Sequence, residues 1–372
     1  MVKFISFGCW NNYGCAENSG LRNVINKAID VDKHDNVDFY IINGDNSYKK
    51  KIKIGVKEKK VIDIPYLTNG FQCLNELGKD VYVLLGNHDL EKTENCKILT
   101  NENIISKKIN SDSGKEKIHL PKEITTFKEF GDNALIIMID TSIYANVDPS
   151  CYKVIIKNHN DTLSKNKQIQ LLKNKQSELI KSKLNTKKYK NIIICGHHPL
   201  IGYKSSIGIT TIYNIDLYKL LIDVINPNVI PDANFYYLCA DIHNYQQGQI
   251  TITHKKNNEE NLSSMIINQY IVGIGGTDVD PVYNINKNKY NKTLSENIKD
   301  INIQYDLKKH FSNHGFILVT TNDNGNNIQI KSTEILSKKS IFNKSEKIKF
   351  NKKCFNKTKK TNKTKKTNKI YS

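Results

Sequence analysis

Short apolar runs recur along this chain, and five of them stop at compact polar clusters. Phe4–Phe7 runs into Gly8-Cys9-Trp10, and Phe39–Ile42 into Asn43-Gly44-Asp45-Asn46-Ser47-Tyr48. Val81–Leu85 runs into Gly86-Asn87-His88-Asp89, Ile192–Ile194 into Cys195-Gly196-His197-His198-Pro199, and Phe235–Leu238 into Cys239-Ala240-Asp241-Ile242-His243. Runs of this length predict strands buried on both faces. Open α/β sheets build their sites just beyond the carboxyl ends of such strands. Five strands lying side by side would therefore bring their polar tips to one spot.

Further strands are predicted at Ala134–Ile139, Tyr270–Ile274, Phe316–Thr320 and Ile328–Ile335. Leu21, Val24, Ile25, Ala28 and Ile29 recur at helical spacing, as do Leu217, Leu220, Leu221, Val224 and Ile225. A weaker helix covers Gln168–Leu184. Asn101–Glu129 is polar and poorly periodic, which predicts a long surface excursion. Thr251–Ser264 has the pattern of a hairpin tip, and Asn284–His310 that of another long loop.

Composition changes this picture at the end of the chain. Of 372 residues, 38% are hydrophobic and the formal net charge is +19. The segment Lys338–Ser372 holds fourteen lysines and one acid, Glu346, so +13 of that charge sits there and +6 on the rest. It ends in two copies of the hexapeptide KTKKTN, Lys357–Asn362 and Lys363–Asn368. Such a segment has too little apolar surface to order itself. We therefore expect one domain over 1–336 and a disordered lysine-rich tail over 337–372. The tail is suited to a polyanion, either nucleic acid or an acidic membrane surface; compositional drift in a chain rich in Lys, Asn and Ile is the other reading. No apolar run approaches the ~20 residues of a membrane-spanning helix. The first strand begins almost at Met1, which leaves no room for a signal peptide. The expectation is a cytoplasmic, reducing setting in which all eight cysteines stay thiols. There is no CxxC pair to suggest structural zinc.

The five tips hold metal-site chemistry. Asp45 follows Gly44 and has two carboxylate oxygens able to bridge two cations. Asn87 offers an amide oxygen, and His197 and His243 offer imidazole nitrogens. Tyr48, three residues past Asp45, can reach the same cluster as a phenolate. His88, beside Asn87, is free to act as an acid or hydrogen-bond donor. His198 reads as a neighbour of the site and Trp10 as packing beside it.

In order, Gly8-Cys9-Trp10-Asn11, Gly44-Asp45-Asn46-Ser47-Tyr48, Gly86–Asp89, Gly196–Pro199 and Ala240–His243 resemble the motifs of calcineurin-type metallophosphoesterases. The tyrosine of the second motif resembles the purple acid phosphatase branch of that superfamily, in its small tartrate-resistant form. Likeness extends through Leu135–Thr141, Gly273–Pro281 and Gly315–Val319, over roughly residues 2–336. The resemblance implies an α/β fold of two packed mixed β-sheets flanked by helices, a four-layer αββα sandwich. It also implies a dinuclear metal site that hydrolyses phosphate monoesters. Asp45 would bridge the metals. Tyr48, His243 and the first-tip residue would hold one, and Asn87, His197 and the residue at 241 the other. A metal-held hydroxide would attack phosphorus, with His88 serving the ester oxygen.

Two positions depart from that pattern. Cys9 stands where the family carries Asp, and Asp241 where it carries His. Together they move a carboxylate from the first metal to the second. Zinc accepts Cys, His and Asp, whereas ferric iron prefers hard oxygen ligands. Two divalent ions (Zn, Mn or Fe) are therefore expected, with Fe(III) at the Tyr48 position as the alternative. Asn11 or Asn12 could supply an oxygen in place of Cys9. If the two changes abolish catalysis, the chain becomes a pseudophosphatase serving as a scaffold or binding protein. A third reading is a nucleic-acid-binding protein that acts through its tail.

Overall fold

The computed structural model describes residues 1–54, 57–145, 147–157, 159–160, 162–205, 209–225, 233–255, 262–281, 301–322 and 324–336. Met1–Glu334 forms one compact unit. The lysine-rich tail lies outside the described residues.

The five motif strands are divided between two sheets. One sheet runs, edge to edge, Ile328–Ile335, His314–Thr321, Val2–Phe7, Phe39–Ile42, Asp80–Val83 and Ile118–His119. Within it Val2–Phe7, Phe39–Ile42 and Asp80–Val83 are parallel neighbours, and His314–Thr321 is antiparallel to the first. The other sheet runs Ile301–Phe311, Tyr245–Lys255, Leu262–Val272, Asn234–Cys239, Asn191–Cys195, Ala134–Ile139 and Thr125–Phe130. Here Asn191–Cys195 and Asn234–Cys239 are parallel neighbours. Both sheets are mixed, as expected.

Why the apolar runs do not alternate is visible in Ala134–Ile139. Ala134, Ile136 and Met138 enter a core shared with Phe4, Phe39, Ile41, Ile317 and Val319 of the opposing sheet. Leu135, Ile137 and Ile139 enter a second core, under Ile180 and Leu184 of helix Lys165–Thr186 and Leu217 and Leu221 of helix Ile215–Val224. A strand buried on both faces needs apolar side chains at every position. Helix Gly20–Asp35 buries Leu21, Val24, Ile25 and Ala28. The Ser19 hydroxyl caps its first turn, accepting from the Arg22 N–H at 3.1 Å. Two mixed sheets packed face to face with helices outside give the α/β layered architecture expected.

Several sequence expectations need correction. Asn101–Glu129 is not a loop. Helix Lys97–Asp112 buries Ile98, Leu99, Glu102, Ile105, Ser106 and Ile109, and strand Thr125–Phe130 follows. Two of those six inward positions are polar and no side chain caps the helix start, so the apolar period is interrupted. Part of Asn284–His310 is also a strand, Ile301–Phe311, with Ile303, Tyr305 and Leu307 buried in alternation. The hairpin around Thr251–Ser264 has long arms, Tyr245–Lys255 and Leu262–Val272, so the strand predicted at Tyr270–Ile274 is the end of a longer one.

The expectation of eight thiols fails. Cys15 is bonded to Cys73 and Cys96 to Cys151. Their separations of 58 and 55 residues leave no local signature. Disulfides are rare in the cytosol, so the thiol argument for a reducing compartment no longer stands. Loops of this length stabilise by about 4 kcal/mol each in the chain-entropy account. In denaturant without reductant, a thiol reagent should therefore titrate at most four of the eight cysteines, and reductant should lower the melting temperature. Eight titratable thiols would refute the pairing.

Candidate metal centre

The two stacked sheets present their carboxyl ends at a common edge, and short backbone bonds tie the tips together. Asn43 N donates to Phe7 O at 2.7 Å, Cys9 N to Gly44 O at 3.1 Å and Ala240 N to His197 O at 2.8 Å. Gly8 N donates across to Val272 O of the other sheet at 3.0 Å. At three tips the donor residue itself turns the chain in the left-handed region: Cys9 at φ 52°, Asp45 at φ 56° and Asp241 at φ 58°. Non-glycine residues rarely adopt this conformation, and Asp does so more readily than Cys. Such strain clusters at functional sites. Gly86 admits the approach of Asp45: a Cβ there would lie 2.2 Å from Asp45 Oδ1. Gly44, at φ 81°, would place a Cβ 2.8 Å from His197 Nδ1.

All eight residues singled out in the sequence meet in one connected cluster. Asp45 is its hub, and its two oxygens face different groups. Oδ1 lies 3.2 Å from His197 Nε2 and accepts the His88 N–H at 3.2 Å. Oδ2 accepts the Tyr48 hydroxyl at 3.0 Å and lies 3.8 Å from Cys9 Sγ. The Tyr48 oxygen is 3.5 Å from His243 Nε2. On the other side, His197 Nε2 is 3.2 Å from Asn87 Oδ1 and 3.9 Å from Asp241 Oδ1.

These contacts test whether the donors suit a cation. His197 Nδ1 lies 2.7 Å from the Asn43 carbonyl and is placed to donate to it. In the neutral ring Nε2 then carries a lone pair, yet it faces oxygens of Asp45, Asn87 and Asp241. Only a positive charge among them, a cation or a proton, satisfies that arrangement. Burial works against a protonated His197, but Asp45 and Asp241 outweigh it and hold its pKa near 9. Burial likewise raises the Asp45 carboxyl, and His197 and His88 more than reverse this, so Asp45 stays ionised. Burial, with Asp45 second, pushes both the Tyr48 phenol and the Cys9 thiol up. Oxygen, nitrogen and sulfur donors fixed by a carbonyl behind the imidazole fit a metal centre.

His88 stands at the rim with its side chain 35% exposed and its ring 4.7 Å from that of Tyr48. Its Nδ1 bonds the Glu91 carboxylate, whose other oxygen is 2.6 Å from Lys49 Nζ. Burial lowers the His88 pKa, but Glu91 and then Asp45 outweigh it and raise it. Glu91 is itself held down, to about 2, as His88 and Lys49 overcome its burial.

Sequence reasoning missed the groups behind the donors. Asp89 accepts from Asn46 N at 2.8 Å, Asn46 Nδ2 at 2.9 Å and Gly86 N at 2.7 Å, clamping the second tip to the third. The Trp10 indole joins this clamp through Asn46 Oδ1 at 2.9 Å, so it does more than pack. Burial and Asp45 raise Asp89 to about 7. Thr141 Oγ1 accepts from both His197 N and His198 N, at 3.0 and 2.9 Å. Asp280 Oδ2 accepts from His243 N at 3.3 Å. Asp89 was signalled by its adjacency to the Asn87-His88 pair, and Thr141 and Asp280 lay in stretches of family likeness without a role assigned to them. Asn11 does not replace Cys9 as donor: its amide turns to helix Ile64–Glu76, donating to Leu67 O at 3.4 Å.

With that geometry established, comparison places the chain. The family model for calcineurin-like phosphoesterases matches residues 3–226, more than half of the chain, and the protein belongs to that family. A comparison with curated protein sequences finds no match. Among solved structures, the chain is similar to one described as "GAP50 the anchor in the inner membrane complex of Plasmodium". Identity is 14% and the TM-score 0.50, over 91% of this chain and 90% of that one. It also matches TT1561 of Thermus thermophilus at 9% identity and a TM-score of 0.38, over 89% and 98% of the two chains. At such identities the first likeness speaks for the fold alone.

Proposed function

We propose that this chain is a metal-dependent phosphatase that hydrolyses phosphate monoesters at a centre for two divalent cations, with a donor set of the purple acid phosphatase type. The divided face of Asp45 carries this reading. One oxygen is turned to Tyr48 and Cys9, with His243 beyond the Tyr48 hydroxyl, and the other to His197, with Asn87 and Asp241 around that ring. Bound cations would neutralise the phosphate and lower the pKa of the attacking water. Asp45 holds the two donor groups in one frame. Asn43 fixes the ring of His197, and Asp89 fixes the loop that carries Asn87 and His88. His88, partly exposed at the rim and with its pKa raised by Glu91 against the effect of burial, supplies the proton to the leaving oxygen.

The test is turnover of an aryl phosphate together with elemental analysis. Turnover with about two metals per chain, the number a two-metal site requires, supports the reading. A chain with neither is a scaffold, the role suggested by its two replaced donors and by a structural neighbour described as an anchor.

The metals follow from Cys9. Among the divalent ions, a thiolate at this position favours Zn(II), and a metal must overcome the burial that raises the thiol. The Co(II)-loaded protein is expected to show near-ultraviolet thiolate-to-cobalt absorption that disappears in Cys9→Ser. Identical spectra would remove Cys9 from the donor set, and an intense visible tyrosinate–iron band would return Fe(III) to the Tyr48 position.

A further inference from the structure

Strand Ile201–Ser205 follows the fourth tip directly, and two fully buried glutamines from neighbouring strands hold its backbone. Gln269 accepts the Leu200 N–H at 2.9 Å and donates to Ile201 O at 2.6 Å. Gln246 accepts the Tyr203 N–H at 3.0 Å and donates to Tyr203 O at 2.7 Å. Gln246 lies three residues past His243, so this bond ties the strand to the fifth tip. Gly202 lets the two approach: a Cβ there would collide with Ile242 Cδ1, the neighbour of His243. Side chains two apart on a strand share a face. Lys204 therefore stands on the face that Gly202 lays against the fifth tip.

Lys204 differs from the lysines on the other side of the site. Lys49 is paired with Glu91 and Lys50 with Asp63. Lys204 is half-buried and, among the described residues, has neither a hydrogen-bond nor an ion-pair partner. Its charge nonetheless reaches the donors. Burial leads in lowering the His243 pKa, and Lys204 adds to it against Asp280, Asp45 and Asp241. A partly desolvated ammonium without a counter-charge is a cost that an arriving anion offsets.

We propose that Lys204 is a substrate-binding residue of this centre, its ammonium engaging an oxygen of the phosphoryl group from the His243 side. The inference rests on the phosphatase reading and deepens it by a residue that none of the five motifs contains. A lysine suits the task, as a compact charge with three donors on a flexible stem. The phosphoryl group, and not the leaving group, is the partner because Lys204 reaches the donor cluster itself. Its influence on His243 lies between those of Asp45 and Asp241, both members of that cluster.

The experiment measures binding of inorganic orthophosphate to the full chain by calorimetry, together with aryl phosphate kinetics, in wild type, Lys204→Met and Lys204→Arg. One charge-assisted contact is worth roughly 10- to 100-fold in affinity. Lys204→Met keeps an unbranched apolar stem and should weaken orthophosphate by that factor. It should raise KM similarly while kcat changes far less, the pattern of a contact made equally in the ground and transition states. Lys204→Arg restores the charge and should recover most of both. Metal content should be unchanged in the two variants, which separates a contact to substrate from support of the donors. Orthophosphate affinity and KM unchanged in Lys204→Met overturn the proposal. So does a loss of affinity that follows loss of metal, or one that Lys204→Arg does not recover. A raised KM with orthophosphate affinity intact also overturns it, since Lys204 would then serve the leaving group. Calorimetry needs no turnover, so an inactive chain whose orthophosphate binding still depends on Lys204 would sink the phosphatase reading and leave this contact standing.

Discussion

Asp45→Asn should remove turnover by on the order of 10³-fold or more, since the stabilisation it organises is worth several kcal/mol. Asparagine keeps the shape of the side chain and tolerates the left-handed backbone held at φ 56°. It keeps one oxygen and replaces the other by an amide that donates, so it can no longer present an anionic oxygen to each donor group. Both sides should suffer: Oδ2 faces Tyr48 and Cys9, and Oδ1 faces His197. Elemental analysis should show metal content falling together with activity. Thermal melts give a second readout. A ligand at a hundredfold excess over its Kd stabilises the fold by about 2.7 kcal/mol, so wild type should gain melting temperature with added Zn(II) and the variant should gain little. If the variant keeps full metal content and wild-type turnover, the carboxylate does not bridge and the two-cation reading fails.

The cluster was readable from sequence because each candidate donor sits at the end of a run buried on both faces. Apolar continuity marks such a strand, and the first polar residues past it mark the tip. That is why Asp45, Asn87, His197 and His243 could be named before any coordinates. Their arrangement was less legible. Five strands side by side in one sheet would also converge, but three lie in one sheet and two in the other, and stacking brings the tips together. Nothing local to a strand records which sheet it joins. Helix Lys97–Asp112 was hidden for a different reason: Glu102 and Ser106 occupy inward positions, and Glu102 is completely buried. Its carboxyl is pushed up by burial and by Asp89. A buried polar group of this kind breaks the pattern from which helices are read. The disulfides were missed because pairing over more than fifty residues is a property of the fold.

His88 should set the alkaline limb of the pH–rate profile, and its loss should cost turnover without costing metal. A positioned acid contributes about 10²- to 10⁴-fold, so His88→Ala should lower kcat within that range. Metal content should hold, because it is the backbone N–H of His88, not the ring, that contacts Asp45. The direction of the pH effect follows from the shift. Glu91 and Asp45 raise the His88 pKa over the opposing effect of burial, so the imidazolium is present below that raised value and is lost as pH rises through it. Activity that needs the acid therefore falls on the alkaline side. Glu91→Gln removes the leading carboxylate partner and leaves burial in place, so the limb should move to lower pH with a smaller loss of maximal rate than in His88→Ala. Lys49→Met offers the opposite control. It removes a cation that competes for Glu91, which should strengthen the hold of Glu91 on His88 and carry the limb to higher pH. A profile unmoved by either substitution would show that His88 does not donate the proton, and the leaving oxygen would then need another acid from this rim.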